Sequence, residues 1–139
     1  MLNALSHTQI WVNDQDEALE FYTEKLGMEV REDVTNPEAG NFRWLSVGVP
    51  GQDVSIALLA VPGPPIADEE TAEQIRSLLA KGMAGGLVFA TDDCKGDFEV
   101  LKGRGVEFTQ EPNEAFYGVD AGFRDPSGNQ ARMAQLNSR

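Results

Sequence analysis

The stretch Ala115-Phe-Tyr-Gly-Val-Asp-Ala-Gly-Phe-Arg-Asp-Pro-Ser-Gly-Asn-Gln-Ala-Arg-Met-Ala-Gln135 reads as a β-hairpin. Phe116 to Arg124 form one strand. Asp125-Pro126-Ser127-Gly128 supplies the turn, proline presetting φ and glycine relieving the exit, and Gln130 to Leu136 form the second strand. This hairpin closes a module that the chain carries twice. The first copy opens at His7-Thr-Gln-Ile-Trp-Val-Asn-Asp14 and the second at Gly86-Leu-Val-Phe-Ala-Thr-Asp-Asp93, each a short strand whose acidic or amide end caps a helix.

One gap aligns the two copies. Asp14 meets Asp93, Leu19 meets Phe98, Phe21-Tyr22 meet Val100-Leu101, and Leu26 to Val30 meet Arg104 to Phe108. Val54 to Leu59 then lies over the strand from Gln130, which sets Ala57 against Arg132. Each copy reads strand, helix, glycine-ended turn and three strands, a βαβββ module. The expected fold class is therefore α+β, built from two such modules. Module one spans 1–61, a linker and helix 62–83, and module two 84–139, within a single domain over 1–139.

Outward from the hairpin, strands are expected at Ala4 to Val12, Met28 to Thr35, Phe42 to Val49, Val54 to Val61, Gly85 to Thr91 and Val106 to Gln110. Helices are expected over Gln15 to Lys25, through Glu69 to Lys81 after an Asp68 cap, and over Asp93 to Gly103. The middle helix has no counterpart in the other half. Pro62-Gly-Pro-Pro-Ile66 breaks the pattern and marks the boundary between halves.

The 139 residues carry 11 Lys and Arg against 23 Asp and Glu, a formal charge of −12. Scattered cations in an acidic chain do not make a phosphate-binding surface, which excludes nucleic acid and disfavours an anionic membrane. No apolar run reaches membrane-spanning length, and Met-Leu-Asn-Ala-Leu-Ser6 lacks the basic start of a signal peptide. The single Cys94 can close no intrachain disulfide, which points to the cytoplasm.

The paired modules, the segment Ala18-Leu-Glu-Phe-Tyr-Thr-Glu-Lys-Leu-Gly-Met-Glu-Val30 and Phe123-Arg-Asp-Pro-Ser-Gly-Asn129 together resemble the vicinal oxygen chelate superfamily, which includes glyoxalase I, bleomycin resistance proteins and extradiol dioxygenases. The resemblance implies curved mixed sheets around a cup with helices on the convex faces, and in metal-using members the ion is held inside the sheets by residues on the first and last strand of each module. The resemblance places those positions at His7, Ala57, Gly86 and Arg132. Only His7 can coordinate, so no metal cofactor is expected. A divalent ion would need non-standard ligands, a shifted site drawing on His7 with Gln9, Asp120 or a carboxylate of a second subunit.

Strand parity gives the cup's lining, because residues two apart share a face. If His7 points in, so do Gln9 and Trp11. The turn after Val49 sets Ser46 against Ala57 and leaves Phe42 and Trp44 for the cup, with Leu45 and Val47 on the helix side. Arg132 enters with Ala134, and Phe116 and Asp120 join them unless the last hairpin slips by one, which would substitute Tyr117 and Val119. Gln9, Trp11, Phe42, Trp44, Phe116 and Asp120 are the candidate ligand-binding residues, and His7 and Arg132 the candidate catalytic ones. Aromatic walls with a few polar groups describe a small-molecule pocket.

Three function classes fit. The first is a metal-free protein that binds a small organic molecule as a homodimer, as the resemblance to bleomycin resistance proteins implies. The second is a metal-dependent lyase, isomerase or dioxygenase with altered ligands. The third is a metal-free enzyme in which His7 is the general base and Arg132 stabilises an oxyanion.

Overall fold

The computed structural model describes residues 1–137. The chain divides into two units, Met1–Ser77 and Leu78–Arg139.

The first unit begins with β1 (His7–Val12). Asp14 then turns the chain by accepting a hydrogen bond from the Glu17 amide, so that α1 (Gln15–Glu20) starts where the sequence places its cap. A π-helical turn over Phe21–Lys25 extends α1, and Gly27, at φ +77°, releases the chain into β2 (Glu29–Asn36). β3 (Phe42–Gly48) and β4 (Ser55–Ala60) complete the sheet in the order β1-β4-β3-β2. β1 runs parallel to β4, and the other two pairings are antiparallel.

The register sets Ser46 against Ala57 and Val47 against Ile56, as parity requires. Ile10, Val12, Leu45, Val47, Ile56 and Leu58 are buried on one face, and α1 lies against β4. His7 and Trp44 meet on the other.

The second unit repeats this topology. β5 (Gly86–Ala90), α3 (Cys94–Gly103), β6 (Glu107–Ala115), β7 (Gly118–Arg124) and β8 (Gln130–Leu136) give a mixed sheet ordered β5-β8-β7-β6. Its core is aromatic: Phe98 of α3 meets Phe108 edge-on at 4.6 Å, and Phe123 packs against both Phe108 and Phe89. α2 (Glu69–Ala80) precedes β5, and the Arg124 guanidinium caps its end by donating to the Leu79 and Ala80 carbonyls.

β1 begins at His7 instead of Ala4, and two further strand limits differ from expectation for identifiable reasons. β7 begins at Gly118, so Phe116 and Tyr117 form the turn instead of the strand. Gly118 sits at φ +144°, and a Cβ there would lie 2.0 Å from the Gln135 carbonyl oxygen, so only glycine can end that turn. β6 runs on past Gln110 to Ala115 although it contains Pro112. As an edge strand it tolerates the missing donor, and its register shifts between Gln110 and Asn113.

The Asp-Pro-Ser-Gly-Asn turn is held from inside. Asp125 Oδ1 accepts the amides of Ser127, Gly128 and Asn129, each at 2.9 Å, and Oδ2 accepts Asn129 Nδ2 at 2.9 Å. Asp125, Ser127 and Asn129 are all buried. A buried carboxylate saturated by backbone donors fixes the turn and leaves it no part in ligand chemistry.

Candidate functional site

The predicted residues fall into three local groups. In the first unit, His7 Nε2 lies 2.7 Å from Glu32 Oε1, and its Nδ1 lies 3.0 Å from Ser6 Oγ. Trp44 packs edge-on against the imidazole at 5.3 Å. Ser46 donates to the same Glu32 oxygen at 2.9 Å. Hydrogen bonds from His7, then from Trp44 and Ser46, hold the Glu32 carboxyl below the usual carboxylate range.

Glu32 was not among the residues read from the sequence. The register of β2 shifts between Val30 and Glu32, so counting by twos along that strand gives the wrong face. The only available signal was Ser46, whose partner across the ladder is Glu32.

The second group is a cavity of about 370 Å³. Gln9, Trp11, Gln15, Phe42 and Leu59 line it, and Pro62 to Ile66 closes one side. Three of the predicted ligand residues, Gln9, Trp11 and Phe42, therefore share one pocket. The Pro-Gly-Pro-Pro-Ile segment, read from sequence as a boundary, forms its wall. Arg43 also reaches this cavity, but its guanidinium is tied to Asp16 at 2.7 Å and to both oxygens of Asp33 at 2.9 and 3.0 Å. Those two carboxylates push its pKa up and neutralise its charge locally.

The third group lies in the second unit. Arg132 bonds Asp120 Oδ2 through Nε at 3.0 Å and through Nη2 at 2.5 Å, and donates to Gln110 Oε1 at 2.8 Å. The hairpin register, which the sequence left open, sets Asp120 against Ala134 and Gly122 against Arg132, so Asp120 and Arg132 share a face. Gly122 makes room for the guanidinium, since a Cβ there would meet Arg132 Nη1 at 2.9 Å. Arg132 holds the Asp120 carboxyl below its ordinary range, and a Tyr117 hydrogen bond to Asp120 raises the Tyr117 hydroxyl. Phe116 lies outside all three groups, 94% exposed at the hairpin tip. Cys94 is buried, and that burial raises its thiol.

The family model for the glyoxalase/bleomycin resistance protein/dioxygenase superfamily matches residues 4–133. The chain belongs to that superfamily. Among its relatives, the uncharacterized protein YurT of Bacillus subtilis is 38% identical over 92% of this chain and 95% of that protein. The crystal structure of UcmS2 matches with a TM-score of 0.89 at 45% identity, covering 97% of this chain and 99% of that one. TnmS3, an antibiotic-binding protein from Streptomyces sp. CB03234, matches with a TM-score of 0.75 at 28% identity, covering 98% of each chain.

Many superfamily members use a divalent ion, and the positions to which the resemblance would assign its ligands hold His7, Ala57, Gly86 and Arg132 in this chain. Ala57 and Gly86 offer no side-chain donor, and the Arg132 guanidinium is a cation engaged with Asp120. His7 directs Nε2 at Glu32. Among the described residues, no three His, Cys, Asp or Glu side chains converge as a metal site would require. No helix among them is long and apolar enough to cross a membrane.

Proposed function

We propose that this protein binds a small organic molecule without a metal ion, holding it in the cavity walled by Trp11 and Phe42. The observation that carries this reading is the cavity itself. About 370 Å³ lies within the usual range for small-molecule sites, and its lining combines two aromatic rings with the amides of Gln9 and Gln15. The similarity to an antibiotic-binding protein supports it. Trp44 and His7 supply a further aromatic and polar surface on the same sheet face, and Asp120 and Arg132 a polar one in the second unit.

The protein works as a homodimer in the cytoplasm. Each sheet ends in strands open on one side, β1 and β2 in the first and β5 and β6 in the second, and open edges invite pairing or cover. A lone buried thiol suits a reducing compartment.

The test is a thermal-shift screen of aromatic compounds with and without added divalent ions, followed by calorimetric titration of the hits. A ligand that raises Tm without metal, and loses at least about tenfold in affinity in Trp11→Ala, is expected, since that ring supplies much of the apolar contact. Ligands that bind only when a metal is added would overturn the reading.

A second reading rests on the 2.7 Å contact between His7 and Glu32, a pairing that orients an imidazole as a general base. An enzyme would transform its ligand, whereas a binding protein returns it unchanged. Mass spectrometry of the recovered ligand separates them, and a product abolished in Glu32→Gln would favour catalysis.

A further inference from the structure

Gln15 is the first residue of α1, and its side chain reaches the sheet. Nε2 donates to the Arg43 carbonyl at 3.1 Å and to the Leu58 carbonyl at 2.8 Å. Both partners are pure acceptors, so the amide has one allowed orientation; turned over, its oxygen would face two carbonyl oxygens. The amide group thus uses both N–H bonds on the protein. Oε1 is left with no partner among the described residues and is not buried, in a side chain that lines the cavity.

Charge narrows the occupant further. Among the described residues Arg43 is the one ionised side chain in the lining, and Asp16 and Asp33 already occupy its guanidinium. Among the described residues, an anionic ligand would find no free cation here, and a cationic one no free carboxylate. Trp11 and Phe42 add flat apolar surface, and Gln9 adds an amide with no partner among the described residues.

We propose that Gln15 Oε1 is a fixed acceptor that reads a donor on the ligand, so that the cavity selects neutral aromatic molecules bearing an O–H or N–H group. This rests on the binding reading and names its ligand class. A molecule of the same shape without the donor leaves Oε1 desolvated and unpaired, which weakens binding about tenfold.

The probes are 1-naphthol, 1-methoxynaphthalene and naphthalene, titrated into ¹⁵N-labelled protein while the Trp11 indole and Gln15 side-chain amide resonances are followed. In the native protein 1-naphthol is expected to bind about tenfold tighter than the other two, which bind alike, naphthalene controlling for the bulk of the methoxy group. In Gln15→Met the three affinities converge. Equal affinities in the native protein would overturn the role of Gln15 while leaving the binding reading intact, and this comparison does not depend on the variant folding. Failure of every probe to shift the Trp11 resonance would overturn both.

Discussion

Replacing Asp125 by Ala tests whether the hairpin turn is held by one buried carboxylate. In the native protein that carboxylate accepts three backbone amides through Oδ1 and Asn129 Nδ2 through Oδ2, all at 2.9 Å. Truncation removes the partner of donors on the buried Ser127 and Asn129, while the Gly128 amide keeps its second bond, to the Asp125 carbonyl at 3.1 Å. A buried donor without a partner costs about 1–3 kcal/mol, but three of the four share one oxygen and water can enter the space vacated, so the total is expected at about 3–5 kcal/mol. With a urea m-value of about 2 kcal/mol/M, the unfolding midpoint should fall by about 1.5–2.5 M with m unchanged. Asp125→Asn keeps an oxygen for the backbone amides and gives up only the contact to Asn129, so it should cost about 1–2 kcal/mol. Urea denaturation followed by circular dichroism measures all three proteins. A loss below about 1 kcal/mol in Asp125→Ala, or equal losses in the two variants, would refute the argument.

Three further outcomes follow from the site. Glu32 has its folded pKa depressed below an ordinary 4.5 by His7, Trp44 and Ser46, so its stabilisation is fully present above that value and is lost as pH falls through the folded pKa. The Tm difference between native protein and Glu32→Gln should therefore shrink as pH falls below 4.5; a gap that keeps widening on acidification below 4.5 would contradict this. Arg132→Met strands the Asp120 carboxylate, which is 9% exposed, and should destabilise by about 2–3 kcal/mol, less than a fully buried pair because Arg132 itself is 38% exposed. Urea unfolding should show most of that loss recovered in the double variant with Asp120→Val, and no recovery would mean that the pair is not the cause. Zinc, nickel or manganese in excess should leave the native Tm unchanged, while a rise that disappears in His7→Ala would place a metal on the imidazole.

Much of this protein is legible in its sequence because the decisive signals are local. Asp14 and Asp93 before their helices, Gly27 and Gly105 after them, and alternation along Phe42 to Gly48 each express a preference of a few neighbouring residues, and the structure places caps, turns and faces accordingly. The repeat of that punctuation declares two βαβββ modules, and the side chains at 57, 86 and 132 declare by their chemistry alone that they offer no metal ligand.

What only the tertiary structure decided concerns which residues meet. Parity is reliable between irregularities and fails across them: the register shift after Val30 hid Glu32 from the His7 face, and the turn forced by Gly118 lifted Phe116 out of a strand. Gln15 reads as an ordinary polar residue at a helix start until β3 and β4 bring two carbonyls to its amide. Arg43 shows no partner in the sequence until Asp33 and Asp16 reach it, and only the hairpin register decides that Asp120 is the anion beside Arg132. Charge and hydrogen-bonding capacity belong to single residues and are written in the chain. Whether that capacity is spent or left open for a ligand depends on partners from 10 to 43 positions away, and only the folded register brings those together.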